Sequence, residues 1–221
     1  MIETIYIERN VLDHARTREI CERFPDARKI GCDRYMEIFN PKAQNFRLQK
    51  RKPSLILAEK FKNLVLPAPP GYGIGSQNNY YFSHMLNCLY DCRYCFLQGM
   101  YQSAHYVLFV NYEDFHKEIR EIAARKSCIQ PHFFSGYDCD SLAMDPVTGF
   151  SGPFLDLFSE IPHALLEIRT KSTQIRSLLN REPIANCVVA FSFTPEPVSR
   201  ALEHKVPSIE RRINALSRLS A

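Results

Sequence analysis

The chain has 221 residues, 45% of them hydrophobic and 24% charged, and a formal net charge of +4. Those values describe a globular protein with room for one good core, and they exclude a disordered chain. The basic bias is mild: it is compatible with a nucleic-acid partner without requiring one. No run approaches the ~18 apolar residues of a membrane span, and acidic residues interrupt the opening Met-Ile-Glu-Thr-Ile-Tyr-Ile-Glu-Arg-Asn, so it does not read as a secretion signal. The eight cysteines are accordingly expected in a reducing cytoplasm, free or bound to metal rather than as disulfides.

The first ~70 residues read as a small α+β unit. Thr4–Ile7 is expected as a strand, Leu12–Phe24 as a helix, and Ala27–Cys32 and Ser54–Ala58 as extended. Pro67-Ala-Pro-Pro-Gly-Tyr-Gly-Ile-Gly75 is rich in breakers and marks an expected boundary between regions 1–75 and 76–221. No strand leads into its glycines and no Gly-Lys-Ser follows, so a linker explains them better than a phosphate loop.

From Asn79 the rhythm becomes strand–helix alternation. Tyr80–Leu86 is a strand, and Tyr112–Arg125 an amphipathic helix with Asn111 as cap and Asp114 at its third position. His132–Ser135 is a strand, Phe154–Glu160 a helix, Ala164–Arg169 a strand, and Thr173–Asn180 a helix capped by Ser172. Cys187–Phe193 is a nearly continuous apolar run of the kind buried on both faces, and Ile209–Leu219 is the last helix, capped by Ser208. Four such units predict an α/β fold, part of a (β/α) barrel. Barrel chemistry sits at the carboxyl ends of the strands. That rule selects the cysteine loop, Asp138–Ser141, Lys171 and Ser192.

The cysteine loop is Cys-Leu-Tyr-Asp-Cys-Arg-Tyr-Cys, with thiols at Cys88, Cys92 and Cys95. Three thiolates so close in sequence can hold three irons of a [4Fe-4S] cluster and leave the fourth iron open to a small molecule. Structural zinc prefers four closed ligands, commonly in two separated pairs, and this compact triad has no second pair.

The spacing Cys-x-x-x-Cys-x-aromatic-Cys resembles that of the radical S-adenosylmethionine enzymes. The flanking stretches Gln44-Asn-Phe-Arg-Leu-Gln-Lys50, Ser83-His-Met-Leu-Asn-Cys88, Cys95-Phe-Leu-Gln-Gly-Met-Tyr-Gln-Ser-Ala104 and Phe109-Val-Asn-Tyr-Glu-Asp-Phe115 narrow the likeness to the spore photoproduct lyase family. That family includes radical enzymes that reverse a thymine dimer formed in DNA by ultraviolet light. The resemblance implies that Cys88, Cys92 and Cys95 hold the cluster, that Tyr94 lies by the adenine of S-adenosyl-L-methionine, and that Asp140, Lys171 and Ser192 contact this cofactor. Lys171 would pair with its carboxylate through a charge-assisted bond. One electron, delivered by a donor such as flavodoxin or ferredoxin, would cleave the cofactor to a 5′-deoxyadenosyl radical, and the partner would be ultraviolet-damaged DNA. Alternatives are a radical enzyme with a non-DNA substrate, or a non-catalytic iron–sulfur or nucleic-acid-binding fragment.

Two departures from the family pattern bear on the substrate. The repair lyases carry a tyrosine directly after the last cluster cysteine, where this chain has Phe96. They also carry a hydrogen-donor cysteine near the second strand end, where Cys139 stands as the catalytic candidate or as a bystander thiol. The full barrel of the superfamily has six strand–helix units, so four units predict a piece of a longer protein, with Cys187–Phe193 as an open edge. Arg47-Leu-Gln-Lys-Arg-Lys-Pro53, the densest basic stretch, reads equally as a phosphate contact and as a solvated turn.

Overall fold

Short β-branched and aromatic runs between turn residues become strands in the computed structural model, which describes residues 2–125 and 129–220. The strands are β1 (Thr4–Glu8), β2 (Arg28–Cys32), β3 (Leu55–Ala58), β4 (Val65–Pro67), β5 (Asn79–Phe82), β6 (Met85–Leu86), β7 (Asp91–Cys92), β8 (Tyr106–Phe109), β9 (His132–Ser135), β10 (Leu165–Thr170), β11 (Cys187–Phe191) and β12 (Glu203–His204). The helices are α1 (Ala15–Glu22), α2 (Met36–Phe39), α3 (Phe46–Gln49), α4 (Leu97–Met100), α5 (Tyr112–Ala123), α6 (Asp145–Thr148), α7 (Ser151–Glu160), α8 (Arg176–Leu179), α9 (Glu196–Leu202) and α10 (Ile209–Leu219).

The barrel sheet has the order β11-β10-β9-β5-β4. Three of its pairings, which place Asn79 opposite His132, Leu165 opposite His132 and Leu166 opposite Cys187, are parallel, while β4 runs antiparallel at one edge. Because β5, β9, β10 and β11 run the same way, the loops leaving their carboxyl ends gather on one side. A second sheet has the order β2-β1-β3-β8-β6. It crosses the Pro67–Gly75 connection, since β8 and β6 complete the sheet begun by β1, β2 and β3. One contiguous core joins the sheets, with Ile5, Leu57 and Val107 from one and Phe82, Phe133 and Ile168 from the other. Helix α5 buries Tyr112, Phe115, Ile119 and Ile122, spaced at helical intervals, against it.

Several elements differ from the sequence reading. Tyr80–Leu86 is not one strand: it breaks at Ser83-His84, and β6 leaves the barrel sheet to pair antiparallel with β8. The crossing is pinned, because Ser83 Oγ donates to Asp138 Oδ2 at 2.6 Å and the His84 ring stacks on Phe150 with centroids 3.9 Å apart. The first helix begins later, at Ala15, behind a 3-10 turn at Arg9–Val11, with His14 Nδ1 accepting from the Arg16 amide. Asn111 stands at the N-cap position of α5 as expected but makes no capping bond; its side chain accepts from Lys60 N–H and donates to Lys60 C=O and Asp114. Ser172 closes a local turn by accepting from the Gln174 amide, and the helix is confined to α8. Strand β11 is half-buried rather than enclosed, with Val188 39% exposed and Phe193, just beyond the strand, 41%, because it forms the outer edge of its sheet.

Candidate functional site

Asn87 sets the entry to the cysteine loop. Its φ of 67° is left-handed, a conformation asparagine tolerates better than most residues, and its amide donates to Ser103 and His105 carbonyls at 2.7 Å each. A turn closed by Cys95 N–H on Cys92 C=O at 3.0 Å folds the rest of the motif back. Cys88, Cys92 and Cys95 thereby meet in one small apolar cluster with Tyr90, Ala143 and Val206. Burial pushes the Cys88 thiol up, the charge of Asp140 adds to this, and burial likewise raises Cys92. The Cys88 and Cys92 thiols therefore favour the protonated form, and a metal would have to displace those protons on binding.

The arrangement fits a cluster. The donors are soft sulfurs in an apolar lining, and the Tyr90 amide donates to Cys88 Sγ at 3.4 Å, the kind of bond that tunes cluster potential. Among the described residues no three His, Cys, Asp or Glu side chains converge on a single metal ion. Thiols that would each hold a different iron of a cluster need not converge on one point.

Around the thiols stand the strand ends. Asp140 is buried, and its carboxylate accepts from Lys171 N at 2.6 Å, Thr170 Oγ1 at 2.7 Å, Ala143 N at 2.9 Å and Leu142 N at 3.1 Å. Burial pushes its carboxyl up while these four bonds pull the other way. Asp140 thus locks the loop after β9 onto the end of β10, so it shapes the site from within. Lys171, 17% exposed at its side chain, follows β10 and points its ammonium at Glu203 Oε1, 3.2 Å away. Ser192 follows β11; its amide donates to Thr170 C=O at 2.8 Å and its carbonyl accepts from Arg212 Nη1 at 2.8 Å. Tyr94, 49% exposed at the ring, donates its hydroxyl to Glu203 Oε1.

Glu203 is the group that sequence reasoning missed. Its side chain is fully buried and also accepts from Ser199 Oγ and Arg212 Nη2 at 2.7 Å each. Burial alone would raise its pKa, but the bonds from Tyr94, Ser199 and Arg212 and the charge of Lys171 outweigh it and bring the carboxyl down to about 2. The two-residue strand β12 places Glu203 opposite Cys92 on β7, antiparallel.

The structure buries Cys139 fully in the core between the sheets, where desolvation holds its thiol well above the usual range. Phe96, 56% exposed, faces Tyr137 with centroids 5.9 Å apart. Tyr137 in turn meets Tyr81 at 4.3 Å and Tyr72 at 5.7 Å. In the basic stretch, Lys50 is committed to Asp91 of the cysteine loop and Gln98 of α4 and Lys52 pairs with Glu3 at 3.1 Å, while Arg47 and Arg51 remain exposed.

The loop after β9 depends on Gly136. Its φ is +71°, and a Cβ there would lie 2.4 Å from Ser141 Oγ and 3.0 Å from both Cys139 O and Ser141 N. Gly136→Ala is expected to cost about 1–3 kcal/mol in urea denaturation, the sum of left-handed strain and crowding. Gly149→Ala, with φ +57° and open space around it, should cost only the strain. Equal losses in the two variants would contradict the close packing of the Asp140 loop.

A family model described as spore photoproduct lyase matches residues 75–221. No curated protein matches the chain in sequence. Among solved structures, a double mutant of spore photoproduct lyase with bound AdoMet and dinucleoside spore photoproduct superposes with a TM-score of 0.87 at 15% identity. Spore photoproduct lyase complexed with dinucleoside spore photoproduct superposes at 0.85 and 16% identity. Both matches cover 100% of this chain and 64% of the solved one, so the chain spans 64% of its structural relatives' length. The fold is that of a partial radical S-adenosylmethionine barrel. With the family model covering well over half of the sequence, the chain belongs to the spore photoproduct lyase family.

Proposed function

We propose that this protein is the cluster-bearing part of a radical S-adenosylmethionine lyase that acts on ultraviolet-damaged DNA in a reducing cytoplasm. The observation that supports the reading is the gathering of three thiols in one apolar cluster, beside Glu203, which lies opposite Cys92 and takes both the Tyr94 hydroxyl and the Lys171 ammonium. When bound, a [4Fe-4S] cluster held by Cys88, Cys92 and Cys95 supplies the electron for reductive cleavage of S-adenosylmethionine, itself drawn from a flavodoxin or ferredoxin. Lys171 binds the cofactor's carboxylate, Tyr94 lies along its adenine, Ser192 offers a hydroxyl, and Asp140 orients Lys171 through the backbone. The ring array Phe96, Tyr137, Tyr81 and Tyr72 borders this side and suits stacking by nucleobases.

Reduction of the reconstituted protein with S-adenosylmethionine should release 5′-deoxyadenosine. Lys171→Ala should weaken cofactor binding by about 1.5–3 kcal/mol, the range for a hydrogen bond to a charged group. An unchanged affinity would remove Lys171 from the site. A second reading, a substrate other than the thymine dimer, is favoured by Phe96, which has no phenol, and by the enclosed Cys139 thiol. Product analysis on ultraviolet-treated DNA separates the two.

A further inference from the structure

The Glu203 carboxylate has two differently employed oxygens. Oε2 is turned inward, to Ser199 and the fully buried Arg212. Oε1 is turned to the site, where it takes the Tyr94 hydroxyl and the Lys171 ammonium together. A lysine ammonium has three donors on a flexible stem, so one fixed acceptor settles where the other two point. The same oxygen takes the hydroxyl of Tyr94, a half-exposed ring whose hydroxyl also bonds the Cys92 side chain. Arg212 extends the tie to the Ser192 carbonyl, and the Arg93 N–H to Leu202 C=O bond at 2.8 Å clamps the segment onto the cysteine loop.

We propose that Glu203 is a positioning residue of the cofactor pocket, holding Lys171 and Tyr94 in a fixed mutual arrangement before S-adenosylmethionine arrives. The proposal rests on the functional reading above. It assigns to Glu203 no contact with the cofactor; it acts through the two side chains that make one.

The test uses anaerobically reconstituted protein, S-adenosylmethionine as the probe, and the variants Glu203→Gln, Lys171→Met and both together. Glu203→Gln should weaken cofactor binding by about 10- to 100-fold, the usual effect of losing an outer-shell partner. In the Lys171→Met background the same change should weaken it much less, because the group it positions is already gone. The electron paramagnetic resonance signal of the reduced cluster should be unaltered by Glu203→Gln without cofactor, and its cofactor-induced change should need proportionally more S-adenosylmethionine. An equal loss with and without Lys171, or no loss, overturns the proposal. If Glu203→Gln fails to fold because Arg212 is left as an unpaired buried charge, the comparison moves to Arg212→Met, against Arg212→Met with Glu203→Gln, where the pair is neutral. A further arm needs no cofactor: amide hydrogen exchange at residues 91–94 of the iron-free protein should quicken in Glu203→Gln, and unchanged protection contradicts the proposal. Should the unsubstituted protein bind no S-adenosylmethionine, the functional reading fails while this last arm still decides the role of Glu203.

Discussion

Alanine at Cys88, Cys92 or Cys95, one at a time, is expected to abolish the iron–sulfur chromophore, while Cys21→Ala leaves it intact. Anaerobic reconstitution of the unsubstituted chain should give about four irons per molecule and a broad brown absorbance, since three thiolates fix three irons and a small ligand completes the fourth. The contrast with Cys21 follows from placement: the three motif cysteines share one apolar recess, and Cys21 lies in α1, partly buried against the main core. Losing one of three ligands leaves a cluster too exposed to survive, so the effect is close to all-or-none. Iron and sulfide analysis of the four variants measures it. Stoichiometric zinc without iron after anaerobic preparation would overturn the assignment.

Acid should weaken the fold well before carboxylates titrate, and His84 should be the main cause. Its ring is fully buried, stacked on Phe150, and its Nδ1 has no partner. Burial, with a contribution from the charge of Lys60, brings its pKa down to about 3. An unfolded histidine titrates near 6.5, so below that pH the unfolded chain takes up a proton that the folded one refuses. Stability is fully present above about pH 6.5 and is lost by ~1.4 kcal/mol per pH unit as the pH falls toward 3. At pH 5 the loss from this residue is ~2 kcal/mol, a large share of a typical domain's 5–15 kcal/mol. His116, brought down to about 4 by burial and then by Arg120 and Arg16, acts in the same direction. Urea midpoints at pH 7.5 and 5.0 should therefore differ less in His84→Phe than in the unsubstituted protein. Identical pH dependence in the two would show that His84 is not held neutral.

What could be read from the residues was what is local and repetitive. Strand β9 and helix α10 fall where periodicity and the Ser208 cap put them, and the Ser208 hydroxyl does accept from the Arg211 amide. The cysteine loop was legible because its chemistry is carried by residue type at short spacing. Glu203 was not, because Ala-Leu-Glu-His reads as the tail of a helix, and its importance comes from partners in three other segments. Strand β8 was overlooked as four apolar residues without alternation, and its neighbours lie in β3 and β6 rather than in adjacent sequence. The break after β5 was hidden for a similar reason: Ser83 and His84 are held by Asp138 and Phe150, contacts that no local pattern announces.

The bridge between β7 and β12 also governs when the site can form. Tyr94 and Glu203 are 109 residues apart in the chain, and Arg212 lies further on. Closing so long a loop is entropically costly, and during synthesis from the amino end it must await a segment made more than a hundred residues after the cysteines. The cysteine-bearing segment is therefore expected to emerge well before the strand it pairs with. Until then the loop has its Asn87 bonds and its Cys92–Cys95 turn, but β7 lacks the strand that pairs with it.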